Sequence, residues 1–144
     1  MSGGGSKEGL VTIVQLMPQM KNISCTFIVL KVGAERCSRE GKHFRTVRVA
    51  DVSGSILLTV WDRVADVIAE SDIWHLSNGH TIVIKGSLRL NCSKRSNIIK
   101  TGEFFLPFSE VPDMSKYNAE FDQKYSLHKN RRIREHAPQL CADK

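Results

Sequence analysis

Residues 44–62 read Phe44-Arg45-Thr46-Val47-Arg48-Val49-Ala50-Asp51-Val52-Ser53-Gly54-Ser55-Ile56-Leu57-Leu58-Thr59-Val60-Trp61-Asp62. Two β-branched runs flank a Val-Ser-Gly-Ser turn, the signature of an antiparallel hairpin. Strand side chains alternate between faces, so Val47 and Val49 share one face with Ile56, Leu58 and Val60. If that face fills a core, Trp61 stands on the other, beside Phe44, Thr46 and Arg48. A large ring held outward gains little from packing, whereas a nucleic-acid base needs such a platform to stack on. The competing reading covers Trp61 with a helix or a terminus.

Upstream, the run Ile23–Val32 precedes the hairpin and stops near Gly33. After the hairpin, Val64, Val67 and Ile68 recur at helical spacing and predict a helix over Arg63–Glu70. Trp74, between Ile73 and Leu76, belongs with the core. Asn78-Gly79 is a strong turn signal and introduces a fourth strand, His80–Leu90. A fifth, Ile98–Leu106, follows a polar loop. Gly86 inside the fourth strand predicts a bulge that switches parity, so that His80, Ile82 and Ile84 face outward before it and Arg89 and Asn91 after it. Lys94, Arg95 and Lys100 extend a basic line beyond. Three strands, a short helix and two more strands make an all-β chain with the order of an OB-fold, a five-stranded Greek-key barrel. An SH3-like barrel, the structural rival, has no helix at that point.

The Gly/Ser-rich opening makes residues 1–10 a disordered N-terminal segment. The OB-fold domain is expected over 11–114, with a basic, largely disordered tail over 115–144. The chain has 144 residues, a formal net charge of +6 and a pI near 9.3, a balance that favours an anionic partner. No window approaches the roughly 18 consecutive apolar residues of a membrane span, so no membrane partner is expected. Cys25, Cys37, Cys92 and Cys141 form no CxxC pair and have no His at zinc-ligand spacing; reduced thiols and no metal site follow. No phosphate-loop, dinucleotide, HExxH or GxSxG motif occurs, and the five histidines fall on separate elements. Neither catalysis, a cofactor nor a small-molecule substrate is expected.

Several dispersed strings then occur in one order: Phe27-Ile28-Val29-Leu30, Arg45 to Asp51, Thr59-Val60-Trp61-Asp62, Gly102-Glu103-Phe104 and Ser109-Glu110-Val111-Pro112. Over about Pro18 to Ser115 the chain resembles the simple eukaryotic OB-fold proteins that supply single-stranded-DNA binding to the SOSS complex. The resemblance implies an OB-fold, binding of single-stranded DNA in DNA damage and double-strand break repair, nuclear location and no catalysis; RNA, which other OB-folds bind, is a more distant alternative. It also implies docking on a scaffold shared with Integrator, with Gly102, Glu103 and Phe104 matching the docking segment. The family's four stacking positions fall on Trp61, His80, Ile84 and Asn91. Trp61 keeps a full aromatic ring and His80 a flat one, while Ile84 and Asn91 do not stack. Phe44, Thr46, Arg48, Arg89, Lys94 and Arg95 complete the expected nucleic-acid surface. A diverged adaptor that docks on the scaffold and binds DNA weakly or not at all is the second reading.

Overall fold

A computed structural model describes residues 11–93 and 95–125. After a 3-10 turn at Ile13–Gln15, the elements are β1 (Ile23–Val32), β2 (Arg36–Cys37), β3 (His43–Asp51), β4 (Gly54–Trp61), α1 (Asp62–Val67), β5 (Asp72–Ile84), β6 (Ser87–Asn91), β7 (Asn97–Glu103) and α2 (Ala119–Tyr125). Five strands close a ring in the order β1-β3-β4-β6-β5, with β5 returning to β1. Every neighbouring pair in the ring is antiparallel except β4–β6, which run parallel over Leu57↔Arg89 to Thr59↔Asn91. Closure removes the free edges that an open sheet would expose.

The alternation read from the hairpin sets the core. Val47, Val49, Ile56, Leu58 and Val60 are fully buried, and Phe27, Leu76, Leu88 and Leu90 meet them from the other strands. Trp74 is buried as expected, its indole N–H donating to Asp72 Oδ2 at 3.2 Å. The helix between β4 and β5 is present but ends at Val67, with Ile68 already extended. Arg45 pins it in place: its Nε donates to the Ala65 carbonyl and its Nη1 to the Gly33 carbonyl, at 2.8 and 2.9 Å.

Two glycines exchange the roles expected of them. Asn78-Gly79 is no turn but lies inside β5, where Asn78 adopts φ 59° and pairing with β1 slips between Ile23↔Gly79 and Cys25↔Leu76. One residue of β1 there opposes two of β5, which is a bulge. A Cβ on Gly79 would lie 2.6 Å from Leu76 Cδ2. The expected bulge near Gly86 is instead the turn: Lys85 and Gly86 take φ 51° and 81°, closing a two-residue hairpin on the pair Ile84↔Ser87. A two-residue turn and a one-residue bulge switch parity alike, so the faces assigned to His80, Ile84, Arg89 and Asn91 are those observed.

Two expected boundaries also move. The fifth ring strand is Ser87–Asn91, and the run expected over Ile98–Leu106 forms β7, paired to the first half of β5 outside the ring. Residues 115–125, expected as tail from their polarity, pack on the barrel. Ser115 is buried, Tyr117 lies against Gly86, and Phe121 and Tyr125 rest on the core. The remainder of the expected tail and the N-terminal segment 1–10 lie outside the described residues. Cys25 and Cys92 are free, and burial pushes both thiols up to about 12. Cys37, on the short edge strand β2, departs from the expectation of reduced thiols and is disulfide-bonded; its sulfur is not sealed in the core as theirs are.

Candidate nucleic-acid interface

Strands β3, β4, β6 and β5 present one continuous outer face whose rows follow from their register. Phe44 pairs with Trp61; Thr46, Thr59, Asn91 and His80 form the next row; Arg48, Leu57, Arg89 and Ile82 the one after. Residues from four strands, picked out by parity alone, are thereby brought together. Ile84 lies at the β5–β6 turn, two rows from His80. Lys94 lies outside the described residues, whereas Arg95 stands exposed in the β6–β7 loop, which is tied to β5 by Asn78 Nδ2 donating to the Arg95 carbonyl at 3.3 Å.

Trp61 is half-buried and leans on Phe44, ring centroids 4.9 Å apart at 40°. Its indole N–H donates to Asn91 Oδ1 at 3.3 Å, and Asn91 Nδ2 reaches His80 Nε2 at 3.2 Å. An indole only donates, so Asn91 must turn its oxygen to Trp61 and its amide hydrogens to His80. His80 Nε2 is then the acceptor, which makes the ring neutral with its proton on Nδ1. Burial and then the nearby Lys21 ammonium lower the His80 pKa, consistent with that state. Asn91 has no ring to stack, but it locks the Trp61 and His80 rings into fixed orientations. A depression of about 400 Å³ opens in front of Trp61, lined also by Asn91, Ser93 and Lys42.

One row below, Arg89 is half-buried, and its Nε donates to Ser87 Oγ at 3.4 Å. Burial first, then the charges of Arg36 and Arg48, lower its pKa. Arg48 is held by Asp113 at 2.9 Å and donates to Ser55 Oγ at 3.2 Å; neither Arg36 nor Arg89 forms an ion pair among the described residues. Converging guanidiniums repel one another until an anion sits among them, so this corner is suited to a phosphate. Arg36 escapes the sequence reading because nothing in the loop after Gly33 signals that β2 folds back against β3.

Gly102, Glu103 and Phe104 lie on and just past β7, off this face. Glu103 is paired with Lys100, which also reaches Asp72 at 3.3 Å. Phe104 has no core role: it takes φ 72° and is 64% exposed, followed by Phe105 at 89% and Phe108 at 45%. Glu35, His43 and Asp66 bring one ligand atom each within 4.8 Å, but His43 Nε2 is already bonded to Asp66 and to the Asp62 carbonyl.

No protein-family model matches the chain. The single-stranded DNA binding protein Ssb of Saccharolobus solfataricus is 28% identical over 102 residues, which cover 68% of this chain and 69% of the relative. Among solved structures, the OB domain of Ta0387 from Thermoplasma acidophilum superposes with a TM-score of 0.55 at 18% identity, over 71% of this chain and 94% of that one. The fold is an OB-fold. A domain of replication protein A from Methanococcus maripaludis shares the OB-fold with a TM-score of 0.56 at 22% identity, over 67% and 99% of the two chains. The face built from β3, β4, β6 and β5 is the surface around the second and third barrel strands on which OB-folds commonly bind oligonucleotides or oligosaccharides.

Proposed function

We propose that the chain binds single-stranded DNA on this face, as a non-enzymatic component of a SOSS-like nuclear complex in the DNA damage response. The observation that carries the reading is the Trp61–Asn91–His80 relay beside Phe44: an aromatic platform oriented by hydrogen bonds and flanked by Arg36, Arg48 and Arg89. Stacking is tolerant of sequence because every base has a π-face, and the arginines supply a salt-dependent phosphate term. The sequence relative named for binding single-stranded DNA supports the same reading. Docking on a scaffold shared with Integrator is assigned to Gly102, Glu103 and Phe104, whose position off the face leaves the DNA site open while a partner is held. The exposed Phe104, Phe105 and Phe108 also favour the adaptor reading, in which docking persists and DNA binding is weak.

Fluorescence anisotropy of a labelled oligo-dT of about 30 nucleotides, titrated at two salt concentrations, separates the two readings. Binding that prefers the single strand to a duplex of equal length is expected. Replacing Trp61 by Ala should then weaken it by about 1–3 kcal/mol with little change in salt dependence. A wild-type protein with no preference for the single strand sinks the DNA reading and leaves the adaptor.

A further inference from the structure

Beyond His80 the face falls into a second cleft of about 650 Å³, bounded by Lys21, Asn22, Asn78, His80, Ser93 and Arg95. Its volume is within the range of sites that enclose a small ligand. No carboxylate lines it, and neither Lys21 nor Arg95 has an acidic partner among the described residues. Amides, hydroxyls and two unopposed cations with no acid describe a receptor for an anion bearing polar groups.

Both walls are fixed in place by hydrogen bonds. On one side, Thr81 accepts from the Met20 N–H at 2.9 Å and donates to the Met17 carbonyl at 2.6 Å, holding the segment before β1 on β5. On the other, Ser96 Oγ donates to the Asn78 carbonyl at 2.8 Å, docking the β6–β7 loop on the bulge of β5. Hydrogen bonds within the chain thus hold the walls of the cleft in place, which lowers the ordering cost of binding. It is also continuous with the stacking site. Ser93 borders both depressions, and His80 on this side is bonded to Asn91 on the other.

We propose that the cleft receives the next nucleotide of the bound strand past His80, its phosphate held between Lys21 and Arg95. The inference rests on the single-strand reading above and extends it to a second end of the track, opposite the arginine corner. The bulge at Asn78-Gly79 has a role here: by widening β5 locally it sets the wall on which the Arg95 loop rests.

Both cations are exposed, and Arg95 joins the loop network through backbone atoms only, so a Lys21→Ala, Arg95→Ala double variant of the full chain keeps its fold, checked by circular dichroism. Its binding is compared with wild type on oligo-dT of about 4 and about 16 nucleotides, the two ends of the usual site size per OB-fold. On the longer strand the slope of log affinity against log salt should fall by about 1.4, two phosphate contacts at about 0.7 each. On the shorter strand, which the Trp61 platform and the arginines can hold alone, the slope should change by less. An unchanged slope on the longer strand overturns the cleft assignment while leaving the stacking site standing. A wild-type protein that binds neither strand defeats the parent reading and this one together, so the two failures are told apart by which protein shows them.

Discussion

The amide of Asn91 has two ends, and only one of them satisfies each neighbour. Trp61 offers a donor, so the oxygen must face it; the nitrogen that remains needs a lone pair on His80 Nε2. A proton on Nε2 puts two donors face to face, and flipping the amide merely moves the conflict to Trp61. Because the His80 pKa is lowered from its ordinary 6.5, first by burial and then by Lys21, the unfolded chain binds that proton more readily than the folded one. The stability contributed by neutral His80 is therefore complete above pH 6.5, declines as pH falls through that value, and levels off below the folded pKa. Thermal melts at about pH 5.5 and about pH 7.5 should show wild type losing more stability on acidification than His80→Gln, which lacks the titrating ring. Equal losses would mean that His80 does not hold the relay. Trp61 and His80 are legible as candidate-site residues from parity and ring chemistry. The linking role of Asn91 is not, because a hydrogen bond between neighbouring strands depends on a register that no single strand reveals.

At the level of elements, the hairpin β5–β6 depends on Gly86. Its φ of 81° is unfavourable for any residue with a Cβ, and a Cβ there would meet the Tyr117 ring at 2.5 Å. Gly86→Ala should cost about 1–3 kcal/mol in urea-unfolding free energy, combining left-handed strain with overpacking. A cost below a few tenths of a kcal/mol would show that the turn and the Tyr117 contact relax freely. This turn is also where sequence pattern and structure part. Asn-Gly is the stronger hairpin signal in isolation, but turn chemistry is local, and closing the ring needs one long strand that pairs first with β1 and then with β6. β1 and the β3–β4 hairpin are legible because alternation and turn residues agree there. The last ring strand is not, since Ser87–Asn91 is only five residues long and reads as a continuation of β5.

For the molecule as a whole, the short parallel seam between β4 and β6 is reinforced from outside the ring. Ser115 Oγ accepts from the Leu57 N–H and donates to the Leu88 carbonyl, one hydroxyl bridging the two strands. Ser115→Ala leaves a buried donor and acceptor unpaired and should lower stability by about 1–3 kcal/mol. Native-state hydrogen exchange should show the Leu57 amide losing protection more than amides on β1; a variant as stable as wild type would mean that water replaces the hydroxyl there. The seam also orders events in time. Trp61 and Leu57 are on one side of it, Asn91 and Arg89 on the other, and joining them requires closing a loop of roughly thirty residues, a slow, non-local step in folding. The face proposed to bind DNA is therefore a late product of folding. A chain still emerging from the ribosome, or one trapped with β4 and β6 apart, has the hairpin that presents Trp61 but neither the relay that orients it nor the complete arginine corner, so recognition is withheld until the barrel is complete.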